Sequence, residues 1–323
     1  MPCYHPLRAR ASPGPDGKNI IIFPKLGEYV PKDQQIELPC GKCVGCRLEY
    51  SRQWANRCML ELQYHDSSYF VTLTYDDEHV PRSYYADPET GEALPSLTLC
   101  KRDFQLFMKR LRKRFSDDHI RFFMSGEYGT NTMRPHYHAI LFGLHLDDLV
   151  KYSKSQQGFC YFNSPSLQSC WSDRDGKPIG YAVVAPVTWE TCAYTARYVM
   201  KKLNGPLAEV YSNFNIEPEF SLMSRKPGIA RQYYEDHPDI YQHEYINIST
   251  EKGGRKFRPP RYYDHLYDLE HPEEMAEIKA IRRKMATAIA DAKLRETTLD
   301  SQEFLDLEER AKIRQIKSLR RTL

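Results

Sequence analysis

The chain has 323 residues, 41% hydrophobic and 28% charged, enough for one large domain or two ordinary ones, with a formal net charge of only +3. No run approaches 18 consecutive apolar residues, which excludes a membrane-spanning helix, and the opening MPCYHPLRARASPG lacks the apolar core of a secretion signal. The charge is too mild to imply nucleic acid by itself. The nine cysteines are an odd number with three in one heptapeptide, which favours a reducing compartment and metal-bound thiolates over disulfides.

Residues 1–46 read as loop-rich, with prolines, glycines and four cysteines. CGKCVGC at 40–46 spaces its thiols regularly, and composition alone predicts fewer than about 0.01 such triples. Four thiolates would complete a tetrahedral structural zinc site, so Cys40, Cys43 and Cys46 need a fourth ligand. Cys3 is the natural one and His5 the alternative. An iron–sulfur cluster is the rival, and three unligated thiols the plain reading. A metal here would pin a segment too loop-rich to hold itself by burial. Cys58, Cys100, Cys160, Cys170 and Cys192 are scattered and read as core or incidental.

Helical spacing of Trp54, Cys58, Leu62 and His65 predicts a helix over 47–65, and SYFVTLTY at 68–75 is β-branched and aromatic, a strand. A loop containing PETGEALP comes next. KRDFQLFMKRLRKRF at 101–115 carries seven Lys or Arg and one Asp. Its apolar residues Phe104, Phe107, Met108, Leu111 and Phe115 fall at helical spacing, so Lys101, Arg102, Lys109, Arg110, Arg112 and Lys113 take the exposed face. A solvated helix surface explains them; beside a metal site, a phosphate backbone explains them better.

RFFMSGEYG and RPHYHAILFG are two apolar runs joined by turn residues, a hairpin. With 11 histidines in the chain, roughly 0.4 His-x-His pairs are expected by chance, so His136 and His138 alone are weak. Strand alternation points both to one face. If Glu127 faces either across the hairpin, the turn must centre near 131–133. One carboxylate and two imidazoles would then suit a divalent ion with positions open for substrate.

Residues 144–180 read as a polar, irregular insertion. A strand through YAVVAPVT leads into the helix WETCAYTARYVMKKLNG, ended by Asn204-Gly205-Pro206. Residues 207–265 read as loop-rich with a second hairpin over 245–263, and 273–323 as one or two charged helices. The basic run RAKIRQIKSLRR near the end could contact DNA or a partner, but reads more simply as a solvated terminal helix. The mixture around an antiparallel hairpin predicts an α+β fold, an antiparallel sheet with flanking helices. The expected organisation is a Cys-rich segment and helix (1–66), a core (67–206), a loop-rich extension (207–271) and charged helices (272–323).

Tyr194 and Tyr198 are four apart on the last core helix and share a face. Between about one and two Tyr-x3-Tyr pairs arise by chance from 23 tyrosines. Lys201 would stand beside Tyr198, and Arg197 beside Tyr194. A phenol has a pKa near 10, so only about 0.1% is ionised at neutral pH, and attack on a phosphodiester needs help. A divalent ion on the phosphate and a nearby cation would supply it.

FVTLTYDDEHVP, then GEYG with RPHYHAILFG, then YTARYVMKK, resemble the three ordered motifs of the HUH rolling-circle replication initiators. The opening MPCYHP, the segment PCGKCVGCRLEYSRQWANR and the order of the later segments are similar to the replication initiation proteins of gokushoviruses, single-stranded DNA phages of the Microviridae. The resemblance covers most of the chain and weakens after about residue 265. It implies an HUH endonuclease core of the RRM or ferredoxin-like type, with Thr72 and Thr74 on the first motif's central strand. Glu127, His136 and His138 would hold Mg²⁺ or Mn²⁺, and Tyr194 and Tyr198 would alternate in nicking and closing, with Lys201 assisting. Each nick would leave a 5′-phosphotyrosyl link and a free 3′-hydroxyl primer on single-stranded or supercoiled origin DNA. Lys101, Arg102, Lys109, Arg110, Arg112, Lys113, Arg197 and Lys202 would line the DNA. The setting implied is the cytoplasm of a host bacterium, with no membrane partner. The sequence shows no Gly-x4-Gly-Lys-Ser/Thr loop, so helicase and replication machinery would come from the host. Two positions depart from the family pattern: Arg197 stands where a lysine is often found, and an aromatic separates the two histidines.

Two other readings stay open. A metal-stabilised nucleic-acid-binding protein without chemistry would explain the basic helix, the cysteines and aromatics such as PPRYYDHLY, but not the Glu/His/His and tyrosine pairings. A single-tyrosine transposase or relaxase with the same core would need only one tyrosine.

Overall fold

The largely apolar runs of 68–75, 121–128 and 135–142 dictate the core of the larger unit, because each can bury both of its faces only inside a sheet covered on both sides. The computed structural model describes all residues except 1–2, 15–18, 26–27, 32–33, 155–159, 199–201, 204, 251–252 and 319–323. The chain divides into two compact units, residues 1–50 with 270–321, and residues 51–269.

In chain order the elements are β1 (Leu7–Pro13), β2 (Asn19–Ile22), β3 (Gln35–Leu38), α1 (Val44–Leu62), β4 (Ser68–Tyr75), β5 (Arg82–Ala86), β6 (Ala93–Leu97), α2 (Lys101–Arg114), β7 (Arg121–Tyr128) and β8 (Pro135–Phe142). Next come β9 (Val150–Lys154), β10 (Cys160–Asn163), α3 (Pro165–Cys170), β11 (Gly180–Pro186), α4 (Trp189–Tyr198), α5 (Glu209–Asn213) and β12 (Phe220–Met223). The last are α6 (Arg231–Asp236), β13 (Ile246–Thr250), β14 (Gly253–Phe257), α7 (Arg261–Glu270), α8 (Pro272–Arg295) and α9 (Ser301–Ser318).

The larger unit is built on a seven-stranded antiparallel sheet in the order β12-β7-β8-β4-β11-β10-β9. The fold is therefore α+β, a large antiparallel sheet flanked by helices. One face of the sheet, carrying Val71, Leu73, Tyr137, Ala139 and Val184, packs under Phe104, Phe107, Met108 and Leu111 of α2 and under Leu167 and Trp171. The other face, carrying Phe70, Phe123, Ile140 and Phe142, is covered by Ala55, Cys58 and Leu60 of α1, by Cys192, Ala193 and Ala196 of α4, and by the segment around Tyr233 and Tyr263. Burying each such large side chain contributes about 1.5–3 kcal/mol, so the two cores hold the sheet rigid between them.

Three stretches expected to be irregular are ordered. The PETGEALP loop is the turn of a hairpin, β5 with β6, in which the Asp87 carboxylate accepts from the backbone of Glu89 (2.8 Å) and Thr90 (3.2 Å). Within 144–180, β9 and β10 extend the sheet to its edge and Trp171 is fully buried. Every residue of β9 is exposed, so it lacks the alternation that marks a half-buried strand. Within 207–265, the four-residue β12 adds the opposite edge, pairing Ser221 with Ser125. The second hairpin is β13–β14, but the Arg-Tyr-Tyr of PPRYY opens α7 instead of extending the strand.

In the smaller unit β1 pairs with both β2 and β3, so the loop-rich start contains a three-stranded sheet. The charged C-terminal helices α8 and α9 belong to this unit. Glu309 of α9 accepts from the backbone N–H of Val44 (3.2 Å), satisfying a donor at the start of α1.

Candidate active site and metal centres

The β7–β8 hairpin closes through 129–134. Gly129 N–H donates to Arg134 O (2.9 Å), Met133 N–H donates to Gly129 O (2.9 Å), and Met133 takes a left-handed φ of 52°. That turn fixes the register. Glu127 stands opposite His136 and Ser125 opposite His138, while on the other side of β8 Thr74 stands opposite His136 and Thr72 opposite His138. Paired residues share a face, so Glu127, both histidines and both threonines meet on the face covered by α1 and α4.

Candidate donor atoms of Glu127, His136 and His138 lie within 4.8 Å of one another. Glu127 is buried, and its Oε1 lies 2.8 Å from His136 Nε2 and 3.1 Å from His138 Nε2. Burial pushes the Glu127 carboxyl up, yet hydrogen bonds from the two imidazoles outweigh it and hold the group down at about 2. The far nitrogens are tied back: His136 Nδ1 lies 3.1 Å from Arg134 O, and His138 Nδ1 3.0 Å from Thr72 Oγ1.

This donor set fits a divalent cation. A backbone carbonyl only accepts, so the contact with Arg134 O places a proton on His136 Nδ1, the arrangement that lets Nε2 exchange its hydrogen bond to the carboxylate for a bond to a cation. A cation between Nε2 and the carboxylate would bond to both. Anchoring the outer nitrogen of a histidine in this way is how metal-binding imidazoles are oriented.

α4 brings Tyr194 to the cluster. Its start is fixed reciprocally, Thr188 N–H donating to Thr191 Oγ1 (2.8 Å) and Thr191 N–H to Thr188 Oγ1 (3.2 Å). Ser125 Oγ donates to Thr195 O (2.9 Å) and Ser51 Oγ to Ala193 O (3.1 Å), holding the helix against the sheet and against α1. The Tyr194 ring meets His138 edge-on, centroids 5.1 Å apart at 71°, and Phe70 at 6.1 Å. Arg197 is exposed, as is Lys202. The Tyr198 side chain and all of Lys201 lie outside the described residues.

The basic helix is not beside this cluster. α2 lies on the opposite face of the sheet, and several of its cations have local partners. Lys101 pairs with Glu217, Arg110 donates to Asp173 O (3.0 Å), and Arg112 donates to Ile120 O (3.3 Å) and lies over Phe122. Arg102, Lys109 and Lys113 are exposed.

The aromatic between the histidines has a structural use. Tyr137 points to the α2 face, where its hydroxyl donates to Cys100 O (2.9 Å), accepts from Cys100 N–H (3.0 Å) and meets Tyr75 Oη (2.9 Å). Tyr75 in turn donates to Asp103 (2.7 Å). The two histidines of the cluster are thus spaced by a residue that ties their strand to the start of α2. Sequence reasoning also passed over Arg134, whose guanidinium donates to Asp77 (2.6 Å) and Tyr75 O (3.0 Å), joining the hairpin turn to the end of β4. Its place two residues before His136, on the same face by alternation, was the available signal.

In the smaller unit the sulfurs of Cys3, Cys40, Cys43 and Cys46 lie within 4.8 Å of one another, and all the cysteines are free thiols. Cys3 completes the set. His5 is engaged elsewhere, its Nε2 2.6 Å from Glu309. Cys43 Sγ and Cys3 Sγ are 3.9 Å apart. Zinc–sulfur bonds of about 2.3 Å in a tetrahedron require sulfurs about 3.8 Å apart, so the set fits a tetrahedral ion. Backbone N–H groups aim at the sulfurs: Cys40 at Cys3 (3.2 Å), Cys43 at Cys40 (3.3 Å), Tyr4 and Cys46 at Cys43 (3.4 Å each). Burial raises the Cys43 thiol, but the donors from Cys46 and Tyr4 prevail and bring it down to about 7.

Residues 68–203, the stretch from β4 past α4, match the family described as replication-associated protein ORF2/G2P. Over 256 residues the chain is 36% identical to replication-associated protein ORF2 of Spiroplasma virus 4, covering 77% of this chain and 74% of that protein. The chain belongs to this family of replication-associated proteins. It is also 30% identical to replication-associated protein VP4 of Bdellovibrio phage phiMH2K over 309 residues, 93% of this chain and 88% of that one. A third relative, replication-associated protein ORF4 of Chlamydia phage 1, is 30% identical over 191 residues, 57% of this chain and 43% of that protein. No solved structure matches the chain. The family match spans all three residues of the carboxylate–histidine cluster and Tyr194, while Cys3, Cys40, Cys43 and Cys46 lie before it. Among the described residues no helix is long and apolar enough to cross a membrane.

Proposed function

We propose that this chain initiates phage DNA replication by nicking a single-stranded origin with a tyrosine, and later rejoins the ends. The observation that carries the reading is the convergence of Glu127, His136 and His138 with the ring of Tyr194 5.1 Å from His138. Membership of a replication-associated family and the order of the three motifs support it.

Glu127, His136 and His138 would hold Mg²⁺ or Mn²⁺, which when bound withdraws charge from a phosphate and orients it for in-line displacement. Tyr194 gives up its phenolic proton to water as its oxygen bonds to phosphorus; the bond from phosphorus to the 3′-oxygen breaks, and that oxygen takes a proton. The products are a 5′-phosphotyrosyl link and a 3′-hydroxyl primer, with no net change in the number of phosphate ester bonds, so the reverse step needs no ATP. Tyr198 would serve the second cleavage when a circle is complete. Lys201 and Arg197 would offset negative charge on the phosphate. Thr72 and the Arg134 carbonyl hold the imidazoles in the orientation this needs. The cysteine cluster would take structural Zn²⁺ and stand outside the chemistry. Origin DNA, host helicase and the host cytoplasm complete the working context.

A covalent-adduct assay tests the reading. The full chain is incubated with single-stranded DNA of its phage, with and without Mn²⁺, and a denaturing gel is read for DNA-bearing protein. The expected result is a metal-dependent adduct that survives Tyr194→Phe or Tyr198→Phe and is lost when both are changed. Loss with one alone would give the tyrosines unequal roles; no adduct from folded, metal-loaded protein would sink the proposal.

A further inference from the structure

The pairing of four adjacent strands places Glu127, His136, Thr74 and Tyr181 side by side in one row across the sheet. All four share a face, because partners in antiparallel pairing do. β11 is an interior strand, flanked by β4 and β10. Its other residues on this face are sheltered: Ala185 is buried and Val183 half-buried. Tyr181 is 66% exposed. A large ring is thus presented to solvent from within the sheet, level with a ligand histidine and two strands from it, roughly 10 Å at ordinary strand spacing. Thr74, the small residue between them, leaves the floor low.

We propose that Tyr181 is a stacking platform for a nucleobase of single-stranded DNA, about one or two nucleotides from the phosphate held at Glu127, His136 and His138. The inference rests on the proposed function and names how the substrate lies: across the strands, along the row. Charge at this rim selects a base over a phosphate. Arg134, two residues before His136, is paired with Asp77, and Lys177, three residues before the start of β11, with Glu78, so these two cations are already compensated. What the position offers is an uncharged π face, and every base has one to set against it.

The test uses the full chain with fluorescein-labelled (dT)20, read by anisotropy over a range of NaCl concentrations. Loss of one stacked base weakens single-strand binding by roughly 5- to 150-fold, so Tyr181→Ala is expected to show a loss in that range. Tyr181→Phe and Tyr181→Trp are expected to restore binding to within about threefold, and the salt slope to stay unchanged in all three. The same oligonucleotide carrying 5-iodo-deoxyuridine is expected to photocrosslink to the peptide containing residue 181. Wild-type affinity in Tyr181→Ala would overturn the proposal. So would a lowered salt slope, which marks a phosphate contact, or a change in sedimentation without a change in DNA affinity, which marks contact with a second copy. Failure of the nicking reading looks different: no adduct with wild-type protein while the crosslink and the Tyr181→Ala loss persist. An adduct in wild type with unchanged binding by Tyr181→Ala sinks the platform alone.

Discussion

Cys3, Cys40, Cys43 and Cys46 are gathered from two loops and the first turn of α1, whereas Glu127, His136 and His138 stand on two neighbouring strands inside a sheet covered on both faces. Around the sulfurs the ordering contacts are backbone N–H groups aimed at the ligand atoms themselves; around the imidazoles the order is already supplied by Phe70, Phe123, Ile140 and the helices above them. The first arrangement would depend on the ion proposed for it. The second would stand without it. With its proposed ion the cysteine cluster would hold a fold together, whereas the carboxylate–histidine cluster is held by a fold.

The largest effect expected is at the cysteines. A structural zinc contributes on the order of 10 kcal/mol to a small domain, so Cys43→Ser should release much of that and open the smaller unit. Limited proteolysis should then cut within residues 3–50 in the variant and spare the wild type. Equal protection in both would erase the contrast. Next comes the double change His136→Ala with His138→Ala. It should abolish adduct formation, at least about 100-fold, while the thermal midpoint moves by only a few degrees, since the sheet's packing remains. Unfolding at room temperature would show that this site, too, builds its surroundings.

A smaller change probes the strand that carries the two histidines. Tyr137→Phe leaves the N–H and C=O of Cys100 and the Tyr75 hydroxyl short of a partner, and should cost about 1–3 kcal/mol in a urea titration. The subtlest effect is in acid. Glu61 is buried, which raises its carboxyl, but His65, the Ala230 N–H and Arg121 more than compensate and lower it. A carboxyl depressed in the fold contributes stability above its unfolded value near 4.5 and loses it as pH falls through the folded value. Stability of the larger unit should therefore decline below about pH 4.5, and Glu61→Gln should flatten that decline. An unchanged acid profile would remove Glu61 from its causes.

Much of the sheet was legible because its central strands carry their own signal. The run 68–75 is β4 to the residue, and the turn residues 129–134 fixed the pairing of Glu127 with His136. α2 was equally plain from its apolar spacing, ending within one residue of expectation. Its position was not. Amphipathicity says which side of a helix is buried, never against which face of a sheet, so the basic helix lies away from the cluster it was expected to adjoin. The edge strands β9 and β12 were hidden for another reason: one is exposed throughout, the other only four residues long, and pairing that depends on a distant partner leaves no local pattern. Tyr181 escaped notice as one tyrosine among 23, since only the register shows which row it occupies.

That register also governs which changes of length the chain can tolerate over generations. Glu127, His136 and His138 count as a set only while β7 and β8 keep their phase, and one residue inserted or lost inside either strand would turn every side chain beyond it to the far face. The turn at 129–134 shares that constraint, because it sets the register and its Arg134 is tied to the end of β4. Lineages of this protein should therefore hold the hairpin, turn included, to a fixed count, whatever else in their sequences has changed.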